Sequence, residues 1–417
     1  MYGHDPGCDR RSLLLSGLGG ALGLLGLPGL LRAAEGSFAT SLLLVWLKGG
    51  ASHLDTFDPK PGTREGGDVR AIATRQRGVS FAEHLPRLAE RADRLALVRS
   101  LGGREGDHER ASYLIHTGFA PSTTVAHPTL GSLLAAEQGG EGDVPLFVSL
   151  GPEPVGPGYR GVAAAAFEVV DGRRTPLERH PDLDAARLAR RRELAAGLEE
   201  GFARQVGLTP AARARGSART AAWERGARVL QGPLGRALEL EQETAGVRDL
   251  YGREGAGSAL LRARRLLEAG VRCVEVVQDG WDDHQELGKN LPPRARALDQ
   301  ALAALLDDLS GRGALSRTLV LCLGEFGRTP EINPRGGRDH WPQANAALLF
   351  GGGLRPGVVG ATTPDGRAPA ARPVRVADLF ATVLTRLGLD PTTQRYAGER
   401  PMTLADGGTA LPELLPG

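Results

Sequence analysis

Residues 41–47, Ser-Leu-Leu-Leu-Val-Trp-Leu, make a short run without polar alternation that stops at Gly49-Gly50. A run this short and this uniformly apolar suits a strand covered on both faces, the condition of strands inside a parallel sheet. The feature recurs at 95–98, 144–150, 271–277, 318–323 and 344–350. Stretches with helical apolar spacing lie between these runs, at 85–92, at 257–269 before Gly270, at 293–311, and at 376–387 before Gly388. The alternation predicts a doubly wound, mostly parallel α/β sheet with helices on both faces. From about 181 to 250 the chain is dominated by Ala, Leu, Glu and Arg, which predicts a helical insertion or cap on that sheet.

The N-terminus reads as an address. Arg10-Arg11 stands directly before an apolar run over 13–31, and Arg32-Ala33-Ala34 supplies small residues for cleavage. Gly17, Gly19, Gly20, Gly23, Gly26 and Gly29 dilute the run, whereas a spanning helix wants about 20 strongly apolar residues. Residues 1–34 are therefore expected to be a twin-arginine signal peptide, with no permanent membrane anchor and a periplasmic or extracellular destination. Residues 35–417 are expected to form one domain.

Composition narrows the partners. The 51 Lys+Arg against 49 Asp+Glu leave a net charge of +2, which offers no basic footprint for nucleic acid. Three cysteines cannot build a disulfide framework, and Cys273 and Cys322 fall on expected central strands, where buried inert thiols are the reading.

In open α/β sheets, sites collect beyond the carboxyl ends of the strands. Here those ends carry Ser52-His53-Leu54-Asp55-Thr56-Phe57-Asp58 after the first strand and Trp281-Asp282-Asp283-His284 after 271–277. Glu325-Phe326-Gly327-Arg328 follows 318–323, and Arg338-Asp339-His340-Trp341 precedes 344–350. His108 sits in Asp107-His108-Glu109 at the start of a helical stretch. Mixed carboxylate and imidazole donors suit Zn, Mn or Fe, and a pair of such ions can clamp both oxygens of an ester displacement. Each residue has a plainer alternative. Asp55 and Asp58 fit turns, Asp282 fits a cap beside an exposed His284, and Glu325 fits a salt bridge with Arg328. His116 reads as core or surface.

These motifs together, GGASHLDTFDPKP (49–61), DHERASYLIHTG (107–118), GWDDH (280–284), GEFGRTPEIN (324–333) and GRDHWP (337–342), resemble the exported bacterial proteins of the domain-of-unknown-function family 1501. That family in turn resembles the alkaline phosphatase-like, or sulfatase-like, superfamily. The resemblance implies an alkaline phosphatase-like fold. It implies metal ligands at Asp55, Asp282, His284 and Glu325, with Asp339 or His340 supplying a further donor where Phe326 replaces an expected His. No Cys-x-Pro-x-Arg signature is present, so a formylglycine sulfatase is disfavoured. Counting back from Thr117-Gly118 places His108 where relatives carry a nucleophile; it is expected to act as nucleophile, as general base or as another ligand. Arg328 or Lys60 is expected to steady an anion, and Ser52 and Thr56 are weaker nucleophile candidates.

The expected function is an exported metal-dependent hydrolase of phosphate or sulfate esters. It would hold one or two divalent ions (Zn, Mn, Ca or Fe) and act on small or polymeric anionic substrates. The alternative is a non-catalytic envelope or polysaccharide-binding protein with a remodelled site.

Overall fold

Strand β1 (Ser41–Leu47) is buried along its whole length, and its side chains alternate between two separate cores. The computed structural model describes residues 38–139, 144–170 and 232–416, with scattered positions between 187 and 205. From Phe38 onward these form one compact unit. The expected signal segment lies outside the described residues. So does much of the expected insertion, whose described part includes the helices Pro233–Leu238 and Ala245–Tyr251.

The remaining strands of the main sheet are β2 (Ala96–Gly102), β3 (Phe147–Leu150), β4 (Phe167–Val169) and β5 (Cys273–Gln278), followed by β6 (Thr318–Leu323), β7 (Asn345–Gly351), β8 (Gly357–Val359) and β9 (Val374–Arg375). They form a nine-stranded sheet in the order β8-β2-β7-β6-β1-β5-β3-β4, with β9 paired to β2. Strand β1 pairs in parallel with β5 and β6 at its centre, Leu42 opposite Cys273 and Leu319.

Leu43, Val45 and Leu47 join one core with Leu260 and Leu266 of the helix Gly255–Glu268 and Leu298, Leu302 and Leu305 of the helix Leu287–Gly311. Leu42, Leu44 and Trp46 join the other with Leu130 and Leu134 of Leu130–Gln138 and Leu379 and Phe380 of Val376–Arg386. Each such side chain contributes about 1.5–3 kcal/mol by leaving water, so both faces of β1 stabilise the fold. The expected mostly parallel sheet with helices on both faces is the one observed.

Two departures matter. Strand β7 runs antiparallel to both neighbours, β2 and β6. Its leading loop therefore emerges at the edge where the parallel strands end. The helix expected from 293 starts at Leu287, with Pro292 and Pro293 inside it; burial of Leu287 and Leu291 outweighs the backbone bonds those prolines cannot make. Cys273 and Cys322 are free and buried, and burial pushes both thiols up, as inert core residues require. Among the described residues no helix is long and apolar enough to cross a membrane.

Candidate metal centre

The turn after β1 makes room for the site. Gly49 and Gly50 adopt φ of 113° and 84°. A Cβ at Gly49 would lie 2.5 Å from the Asp282 amide nitrogen, and one at Gly50 would lie 2.6 Å from the Phe326 ring, so only glycine lets this turn pass beneath both. Four further segments meet above it. Asp282 and His284 follow β5, and Glu325 follows β6. His108 opens the helix His108–Thr117, which Asp107 caps by accepting the Arg110 amide at 3.1 Å. The fourth is the ribbon Gly327–Arg328 with His340–Trp341, which sets His340 opposite Arg328 and brings it in ahead of β7.

Hydrogen bonding assigns the imidazole nitrogens. His108 Nδ1 lies 2.9 Å from Glu325 Oε1, His284 Nδ1 lies 2.8 Å from Asp339 Oδ1, and His340 Nδ1 lies 2.8 Å from the Gly106 carbonyl. Each of those partners, as carboxylate or carbonyl, is an acceptor, so each Nδ1 carries the proton. In the neutral ring each Nε2 then presents a lone pair.

All three Nε2 atoms face Asp282. His284 and His340 lie 3.1 and 3.3 Å from Oδ1 and 2.9 Å from one another, while His108 lies 3.4 Å from Oδ2. One ligand atom each from His108, Asp282 and His340 falls within 4.8 Å of the others. Lone pairs converging on a carboxylate repel unless a proton or a cation joins them. Imidazoles fixed through Nδ1 by carboxylates or carbonyls are the arrangement that supports a divalent ion. The donor set therefore fits such a group.

The environment tunes these groups. The hydrogen bond that His108 donates to Glu325 raises the His108 pKa above that of an ordinary imidazole, against the opposing effect of burial. Burial lowers His340. Burial alone would raise Asp282, but Arg328, 2.5 Å away, outweighs it and holds the carboxyl below its usual range. The hydrogen bond from His284 likewise lowers Asp339.

Of the residues expected from sequence, the structure gathers His108, Asp282, His284, Glu325, Asp339 and His340. It divides them into those facing the centre and those behind it. Glu325 and Asp339, expected as ligands, hold imidazoles; Glu325 also accepts from Trp46 Nε1 at 3.0 Å and the Gly49 amide at 2.8 Å. The salt bridge weighed for Glu325 forms elsewhere, because Arg328 pairs with Asp282.

Arg328 does not reach outward to an anion. It is 1% exposed, and it donates to the carbonyls of Gly49, Gly50, Trp281 and Arg338 as well as to Asp282. Asp55 is taken up by Arg338, whose Nε lies 2.7 Å from Oδ2, and by the Ser52 hydroxyl. Lys60 is bound to Asp58 at 3.0 Å, and Thr56 Oγ1 donates to the Ser52 carbonyl at 2.7 Å. Asp283 turns away to Arg294.

Sequence reasoning missed Trp46 as a donor, Asn333 and the Phe326 wall. Asn333 Nδ2 donates to Asp339 at 3.1 Å and to the His284 carbonyl at 3.0 Å. The Phe326 ring centroid lies 4.4 Å from that of His340 and 5.2 Å from that of His108. A tryptophan at the last turn of a buried strand was the available sign of a polar partner nearby.

The family model described as a protein of unknown function, DUF1501, matches residues 39–415. No curated protein matches. Among solved structures, the chain is similar to the phosphonate monoester hydrolase of Agrobacterium radiobacter, at 14% identity, 90% of this chain, 77% of that one and a TM-score of 0.36. It is similar to an alkaline phosphatase superfamily protein from Vibrio parahaemolyticus at 11%, 85%, 68% and 0.39. It is also similar to the lipoteichoic acid synthase LtaP from Listeria monocytogenes, at 11%, 84%, 72% and 0.41.

Proposed function

The chain belongs to the DUF1501 family of proteins of unknown function, and from its strand-end cluster we propose that it is a metal-dependent hydrolase of anionic esters, phosphate or sulfate. The observation that carries this reading is the convergence of the Nε2 atoms of His108, His284 and His340 on Asp282, with each Nδ1 tied down behind. His108, Asp282, His284 and His340 would hold a divalent cation, Zn, Mn, Ca or Fe. Bound there, the cation supplies Lewis-acid polarisation of an ester oxygen and a water nucleophile at neutral pH.

The protein's own part is orientation. Glu325 and Asp339 keep the protons of His108 and His284 on Nδ1. Arg328 keeps Asp282 ionised and aimed at the cluster. Phe326 forms an apolar wall beside His108 and His340 that limits water. His108 occupies the first position of its helix, where the field of the helix end favours negative charge, in keeping with an anionic substrate. The leader, with its paired Arg10-Arg11, adds export to the reading.

Metal content of the purified protein tests it. Wild type should hold near-stoichiometric metal and turn over a phosphate or sulfate ester, and Asp282→Ala should lose both; a metal-free wild type, or metal unchanged in Asp282→Ala, overturns the proposal. A second reading, a non-catalytic polysaccharide-binding protein of the envelope, draws on one observation. Arg328, Arg338 and Lys60 are all engaged internally, so none of these basic groups is presented to an anion. Metal binding without turnover across an ester panel would favour it.

A further inference from the structure

Beneath the cluster lies a buried ionic pair that the proposed chemistry does not use. His116 and Glu275 are each 1% exposed, and their Nε2 and Oε1 are 2.9 Å apart. The other ring nitrogen of His116, Nδ1, lies 2.6 Å from the Ser112 carbonyl. A carbonyl and a carboxylate are both acceptors, so both nitrogens of His116 donate, and a ring donating from both nitrogens is an imidazolium. The charge is compensated in place. Burial opposes it, while Glu275 raises the imidazole above its ordinary value and Glu325 adds to the effect from beyond the end of β6.

His116 stands edge-on to Trp46, with ring centroids 4.6 Å apart and planes at 86°. Trp46 is 2% exposed, so ring and imidazolium are packed without freedom to turn. The indole N–H donates to Glu325 Oε2 and the Gly49 amide donates to Oε1. These two fixed N–H donors, one on each oxygen, hold the Glu325 side chain in a single orientation. Held there, Glu325 Oε1 lies 2.9 Å from His108 Nδ1 and accepts its proton's hydrogen bond.

We propose that His116, Glu275 and Trp46 are positioning residues: an imidazolium held in the core locks the indole, the indole N–H holds the Glu325 side chain in place, and Glu325 accepts from His108 Nδ1 and so turns His108 Nε2 toward Asp282. This deepens the metal-site reading and rests on it only for what His108 Nε2 binds. The groups facing His116 are Glu275 from β5, Glu325 from the end of β6 and the Ser112 carbonyl from its own helix.

Nitrogen-15 NMR of the metal-free wild-type protein, with zinc titration as a second readout, tests the chain of contacts. His116 should show two protonated nitrogens at pH 7, and His108 should show the Nδ1–H tautomer. Trp46→Phe, which keeps an aromatic ring and loses only the donor, should turn His108 into a mixture of tautomers and weaken zinc binding about tenfold, the lower end for a partner outside the ligand sphere. If Trp46→Phe does not fold, Glu275→Gln serves instead. It should bring loss of the second His116 proton at pH 7 and mix the His108 tautomers. A neutral His116 at pH 7 overturns the proposal, as does an unchanged His108 tautomer in whichever variant folds. A wild type that binds no zinc would refute the metal-site reading, and the His108 tautomer would still decide this one.

Discussion

Asp55 and Asp282 carry the same mark in the sequence, an aspartate just past a buried parallel strand, yet they serve opposite ends. Asp55 meets a guanidinium that is itself fully buried, and the pair closes on itself. Asp282 meets one guanidinium and then the Nε2 atoms of three imidazoles, and its side chain stays 43% exposed. The difference lies in the partners. Arginine has donors and no acceptor, so it satisfies a carboxylate completely, whereas an imidazole anchored through Nδ1 arrives with a lone pair still to satisfy.

The strongest attempt to break this contrast is Arg338→Met, which leaves Asp55 buried with the Ser52 hydroxyl as its remaining side-chain partner. Loss of one partner of a buried pair costs about 3–5 kcal/mol, so urea unfolding should show a fall of that size with metal content per folded molecule unchanged. A fall in bound metal instead would place Asp55 in the site.

His340→Ala attacks the other member. It should weaken zinc binding by about 100-fold or more, roughly 2.8 kcal/mol by the relation of tenfold to 1.4 kcal/mol, with a much smaller change in the urea midpoint. Equal effects on both would erase the distinction.

Asp299 sharpens it with a third case, a buried carboxylate held without a cation. It accepts the Arg87 and Leu88 amides at 3.0 and 2.8 Å, yet burial dominates and lifts it from 3.8 to about 6. The folded protein therefore binds this proton more tightly than the unfolded chain. Stability from this group is fully present below the unfolded value and is lost as pH rises through about 6, on the order of 3 kcal/mol in all. Urea midpoints of wild type and Asp299→Asn should diverge in the variant's favour between pH 4 and pH 7; parallel curves would refute this.

Glu325→Gln should act least, because the amide oxygen still accepts from one donor. About a tenfold loss of zinc affinity is expected, read by competition with a chelating dye, and no loss would remove Glu325 from the support of His108.

Much of this was legible from sequence, and the failures are instructive. The run 41–47 revealed a doubly covered strand because its apolar residues leave no wet face. The run 344–350 revealed a strand and concealed its direction, since an apolar segment reads alike in either sense. That direction is what carries His340 to the site. Arg328 looked like an anion clamp because its charge is visible, while the carbonyls of Gly49, Gly50, Trp281 and Arg338 that consume it come from loops far apart in the chain. The Glu275–His116 pair spans 159 residues, and its one local sign was a lone glutamate in the otherwise apolar 273–277.

The reversed strand β7 also bears on how the molecule comes into being. It sits between β2 and β6, and the His108–Glu325 bond on the same edge joins residues 217 apart. Contacts of such separation form late, after the cost of closing large loops has been met, and His340 arrives only with the strand that seats between β2 and β6. Metal capture by this cluster would then mark the end of folding: a chain that has not seated β7 has no complete site to load.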